Sequence, residues 1–113
     1  MKEFLFVFRA DYSKMGERSP EQMQASMKKW MDWISGIAAQ NKLVDRGNRL
    51  EPAGKVLRPD NLITDGPYTE IKETLAGYTM VKADSLEDAT ELAKGCPVLE
   101  TGGNVEIREI GKM

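Results

Sequence analysis

The chain of 113 residues contains no histidine. That absence excludes serine–histidine and cysteine–histidine catalysis and every histidine metal site. Cysteine is nearly as scarce. Cys96 stands alone, so no internal disulfide can form, and a reducing, cytoplasmic setting is expected. No run reaches the roughly 18 uninterrupted apolar residues of a membrane span, so no membrane partner is expected. The first nine residues place Lys2 and Glu3 before the short apolar run Phe4 to Phe8 and offer no small-residue cleavage site, so no signal peptide is expected. Charge of one sign is missing as well. Sixteen basic and 18 acidic residues leave a formal net charge of −2, without the clustered basic excess of a duplex binder, and no nucleic-acid partner is expected. No Asp-x-Asp-x-Asp-Gly spacing exists for calcium, and no metal or other cofactor is expected.

What is present suits one globular domain over residues 1–113. Hydrophobic residues make up 41% and charged residues 30%, a folded rather than disordered balance. A chain of this length buries roughly two-thirds of its unfolded surface without staples.

The apolar spacing places the elements. Phe4, Phe6 and Phe8 alternate with Leu5, Val7 and Arg9, apolar on both faces, as in a strand buried on two sides. Ser19-Pro20 with Gln22 three residues after the serine is a helix start with a capping box. Met23, Met27, Trp30, Ile34 and Ile37 then fall at helical spacing, predicting about five turns with one buried stripe. Met31 also reads as core filling, while Trp33 lies on the flank, suited to an interface or a pocket mouth. Leu43 opens a second strand before the turn-prone Arg46-Gly47-Asn48. Val56 to Thr64 reads as a hairpin with Pro59-Asp60 at the centre of a type I turn. Gly77 to Ala83 is a strand, with Thr79 and Val81 facing away from Tyr78 and Met80. Ser85 caps a short helix with Leu86, Ala89, Leu92 and Ala93 on its apolar side, stopped by Gly95 and Pro97. Asn104 to Ile110 is the last strand.

This order predicts an α+β ferredoxin-like sandwich: an antiparallel sheet with two helices on one face. The apolar strand residues on the other face predict a homodimer through sheet faces, a dimeric α+β barrel.

Asp65 to Tyr78 is the stretch with the most chemistry. Four ionisable side chains and two tyrosines fall between two strands, where ligand-binding groups concentrate. Asp65 at a strand end beside an apolar cleft could act as general acid or base. Tyr68 could donate to a developing oxyanion, and Lys72 could pair with an anionic group. Glu70 joins them as a substrate-binding candidate, with Arg9 and Trp33 from other elements. The competing reading is structural. An aspartate before Gly-Pro commonly caps its own turn, here through the N–H groups of Tyr68 or Thr69, because Pro67 has none. Glu70, Lys72 and Glu73 can equally form a solvated face, and Arg9 can be merely solvated. Cys96, just after a helix C-terminus, reads as an inert buried thiol. Gly102-Gly103 lacks the strand–loop–helix context of a phosphate loop.

Asp65-Gly66-Pro67-Tyr68, then Glu70, Lys72-Glu73 and Gly77-Tyr78, resembles the signature of the YCII-related proteins of the DGPF subgroup, with Tyr68 where phenylalanine is usual. Ser19-Pro20-Glu21, the acidic segment from Asp84 to Ala93, and Val105-Glu106-Ile107-Arg108 resemble further parts of that family. The resemblance implies a bacterial protein of the dimeric α+β barrel group. Its relatives include a dehydrochlorinase, and some subgroup members lie beside or fused to extracytoplasmic-function sigma factors. Relatives outside the subgroup pair an aspartate with a histidine, a dyad this chain cannot form. Two functions are therefore expected as alternatives. One is a cofactor-free small-molecule enzyme of lyase or isomerase type, with a cleft near the Asp65–Tyr68 loop. The other is a non-catalytic ligand-binding or regulatory dimer linked to a sigma factor.

Overall fold

In the computed structural model, residues 1–11, 18–66 and 74–112 are described. Along the chain they form β1 (Lys2–Ala10), α1 (Pro20–Ala39), β2 (Leu43–Asp45), β3 (Gly54–Arg58), β4 (Leu62–Gly66), β5 (Thr74–Ala83), α2 (Leu86–Ala93) and β6 (Asn104–Glu109). Four strands make an antiparallel sheet in the order β2-β5-β1-β6, while β3 and β4 pair with each other as a separate hairpin. Omitting the hairpin leaves the ferredoxin-like order, strand–helix–strand twice over, as the spacing predicts.

Both helices pack on one sheet face. Phe4, Phe6 and Phe8 of β1 and Val81 of β5 are buried against Ile37 of α1 and Ala89 and Ala93 of α2. The helix starts form as expected. The Ser19 hydroxyl accepts from the Gln22 N–H at 3.1 Å, and the Gln22 side chain accepts from the Ser19 N–H at 2.9 Å. Ser85 caps α2 by accepting from the Asp88 N–H at 3.1 Å.

Four expectations need correction. First, the α1 stripe is buried only in its second half. Met23, Met27 and Met31 are more than half exposed, not core filling. The 20-residue helix is about 30 Å long, whereas Phe4 to Phe8 extend only about 14 Å, so its first turns overhang the apolar row. Second, the Pro59–Asn61 turn is not type I. Asp60 (φ 67°) and Asn61 (φ 60°) are both left-handed. Positive φ suits the right-handed twist of hairpin strands, and Asp and Asn tolerate it better than other side chains. Third, β1 is not buried on both sides within one chain. Its phenylalanine face is closed, but Leu5 and Val7 on the helix-free face are only half-buried. Fourth, Leu86 lies at the exposed start of α2, leaving Ala89, Leu92 and Ala93 as its packed side.

The segment after β2 is shaped by close backbone approach. Residues 46–50 run along β5: the Leu50 N–H donates to the Ala76 carbonyl, the Tyr78 N–H to the Asn48 carbonyl, and the Thr79 hydroxyl to the Arg46 carbonyl. Gly47 sits at φ 72°, where a Cβ would lie 1.7 Å from the Tyr78 carbonyl oxygen. Only glycine fits that contact in that conformation.

Candidate functional site

Asp65 is the penultimate residue of β4, directly across the hairpin from Lys55 of β3. Its carboxylate accepts from the Lys55 ammonium at 2.6 Å, and the Asp65 side chain is 87% exposed. Lys55 and Asp65 project from the same hairpin face as the cross-strand pair Leu57–Ile63, because alternate residues of a strand share a face. The hairpin is tight at this end, where a Cβ on Gly66 would meet the Gly54 carbonyl carbon at 3.2 Å.

The remaining motif candidates, Tyr68, Glu70 and Lys72, lie outside the described residues, as do the Tyr68 and Thr69 N–H groups of the capping reading. The chain is described again from Thr74, which pairs with Ala10 at the end of β1.

Arg9 is on the helix-free sheet face at that same end. Its guanidinium donates to Glu106 of β6 at 3.3 Å, and Arg108 donates to the other Glu106 oxygen at 3.2 Å. Glu106 is thereby held below the usual carboxylate range, first by the Arg108 hydrogen bond, with Arg9 adding to it and desolvation opposing. Register places Val7 between Tyr78 and Glu106, and Leu5 between Met80 and Arg108. The Tyr78 hydroxyl accepts from the Asn48 amide at 3.3 Å. The helix-free face thus carries a half-buried patch of Leu5, Val7, Tyr78 and Met80, bordered by Arg9, Glu106 and Arg108. Sequence reasoning named Arg9 here and missed Tyr78, Glu106 and Arg108. Glu106 and Arg108 are two apart in the last strand and so share a side, but their place beside Arg9 depends on strand order.

Trp33 is on the opposite side of the sheet from Arg9. Its indole N–H donates to the Leu92 carbonyl at 2.9 Å, and its ring meets Phe6, Phe8 and Trp30 at centroid separations of 6.1, 5.8 and 5.7 Å. It ties α1 to α2 over β1, and the fold does not bring it to the Arg9 face. Cys96 is buried at 2% exposure, and burial pushes its thiol up to about 12, against a smaller opposing effect of a backbone hydrogen bond at Val98. It is neutral and inert at physiological pH. Among the described residues, no three His, Cys, Asp or Glu side chains gather as a metal-binding group, and no helix is long and apolar enough to cross a membrane.

This arrangement and the chain's motifs can be set beside known families. The YCII-related domain matches residues 5–113. The chain belongs to the YCII-related family. The match runs from β1 through the hairpin to the last strand, so the Asp65 hairpin lies within the YCII-related domain. No curated protein matches the chain significantly.

Proposed function

We propose that this YCII-related chain works as a homodimer on a small molecule, transferring a proton through Asp65 without a cofactor, in a reaction of lyase or isomerase type. The observation that carries the reading is the state of the Asp65 carboxylate. It stands at a strand end, open to solvent over most of its surface, and its bonded partner is a flexible lysine that a ligand can displace. Arg9, Tyr68, Glu70 and Lys72 are the groups assigned to hold the substrate. Proton transfer is the chemistry this residue set suits, since a positioned carboxylate can remove or return a proton by itself. The buried thiol fits a cytoplasmic location.

A second reading, a ligand-binding or regulatory dimer, is favoured by the same exposure. Among the described residues of one chain, Asp65 has no apolar enclosure of the kind that tunes an acid–base group.

The test is solvent-exchange NMR in deuterium oxide, with a panel of hydroxylated and halogenated carbon acids, on wild type and Asp65→Asn. Catalysis predicts loss of a substrate C–H signal with wild type and at least hundredfold slower loss with the variant. The Lys55–Asp65 pair is exposed and contributes at most about 1 kcal/mol, so the two melting temperatures should agree within about 4 °C. A compound that raises both melting temperatures equally and exchanges with neither protein would establish the second reading instead.

A further inference from the structure

Among the described residues, the β3–β4 hairpin is an arm without a resting place in its own chain. It does not join the main sheet. Its Leu57–Ile63 pair points into solvent, at 69% and 61% exposure. A two-stranded hairpin alone is marginal in water. The chain is also thin and spread, with Cα extents of 44 × 43 × 18 Å and a radius of gyration of 15.5 Å, against about 13 Å for a compact domain of this length.

The helix-free sheet face has the complementary need. Its Leu5, Val7, Tyr78 and Met80 patch is half-buried. The four-stranded part measures about 15 by 25 Å, a flat footprint of roughly 400 Å². A standard interface takes about 800 Å² of accessible surface from each partner, and a seated arm adds to what the two sheet faces bury. Spacing and charge also correspond. On the arm, the apolar pair Leu57–Ile63 is followed two residues along each strand by the Lys55–Asp65 pair. On β1, Val7 is followed two residues on by Arg9. Each step is about 7 Å, so an arm seated apolar to apolar sets its carboxylate at the distance of a guanidinium.

We propose that the hairpin is an exchanged arm: each copy lays its Leu57–Ile63 face over the partner's Leu5–Val7 patch and brings its Asp65 to the partner's Arg9. The inference rests on the homodimer of the proposed function and adds that each site is composite. Because arm and receiving face belong to the same chain, one two-fold axis satisfies both, and the assembly closes at two copies. The arm also gives Asp65 the partial enclosure it lacks in one chain.

Two experiments test this. Leu57→Glu with Ile63→Glu alters side chains exposed in the single chain, so circular dichroism should be unchanged. Light scattering over a concentration series should show the dimer dissociating at least tenfold more readily than wild type. Separately, Ile63→Cys and Val7→Cys proteins are mixed and oxidised, Cys96 being buried and inert. A disulfide-linked heterodimer on a non-reducing gel is expected. A wild-type monomer would remove the homodimer and the arm exchange together. A wild-type dimer whose affinity ignores the glutamates, with no heterodimer crosslink, would overturn the arm while leaving the homodimer standing. A crosslink formed only within one chain, when both cysteines are placed in one protein, would also overturn it.

Discussion

Replacing Gly47 by alanine adds one methyl group, and the structure sets its cost. The backbone at Gly47 has φ 72°, where a non-glycine residue loses about 1–2 kcal/mol. The new Cβ would lie 1.7 Å from the Tyr78 carbonyl oxygen and 2.6 Å from its carbonyl carbon. Neither atom is the end of a flexible side chain. Both belong to β5, which is held by β1 on its far side and by the Leu50 and Tyr78 backbone hydrogen bonds on the near side. Relief therefore requires moving a loop or a strand, and overpacking of this kind costs about 1–3 kcal/mol. The sum is about 2–5 kcal/mol. A chain of this length is only about 6–17 kcal/mol more stable than its unfolded state and loses about 4 °C of Tm per kcal/mol. Gly47→Ala should therefore melt about 8–20 °C below wild type, followed by circular dichroism. Gly36→Ala is the matched control. Gly36 is inside α1, and a Cβ there meets nothing within 4 Å. The same methyl should stabilise by about 0.5–1 kcal/mol through helix propensity. A Gly47→Ala melting temperature within 4 °C of wild type, or a Gly36→Ala shift in the same direction as a large Gly47→Ala loss, would refute the reasoning.

Trp33→Phe keeps an aromatic ring beside Phe6 and Phe8 but removes the indole N–H that serves the Leu92 carbonyl. Urea unfolding should show a loss of about 1–3 kcal/mol at unchanged m, and any ligand affinity should stay as in wild type, since the residue faces the helices. Cys96 should resist Ellman's reagent in the native protein at pH 8 and react at once in denaturant. Its folded thiol titrates near 12, above the value of about 9 expected for the unfolded chain. Between those values the unfolded state has lost the proton and the native state has kept it. Cys96 therefore makes stability fall with rising pH in that window, by up to about 1.4 kcal/mol per pH unit. Cys96→Ala should lack this component of the alkaline slope, seen as a flatter dependence of urea midpoint on pH from 9 to 11.

Much of the fold was legible because its signals are local. The capping box at Ser19, the serine cap at Ser85 and the alternation of Phe4, Phe6 and Phe8 need only a few neighbouring residues to act. They set where helices and strands begin and which side of each is apolar. The turn at Asp60 escaped that reading because Pro-Asp permits type I geometry as readily as the left-handed one, and strand twist chose between them. The methionines of α1 misled for a related reason. Their spacing says which side of the helix they occupy, but not how far the sheet extends beneath it.

The candidate site divides in the same way. That Asp65 ends a strand, and that the chain can use neither histidine nor a disulfide, follows from the sequence by itself. That Asp65 faces Lys55, that Arg9 and Arg108 share Glu106, and that Trp33 serves the helix interface were decided by tertiary structure. Arg9 and Glu106 are 97 residues apart in the chain, and no local pattern can bring them together. Their contact exists because β1 pairs with β6 in one register, and that register is set by burying phenylalanines on the opposite face of the sheet.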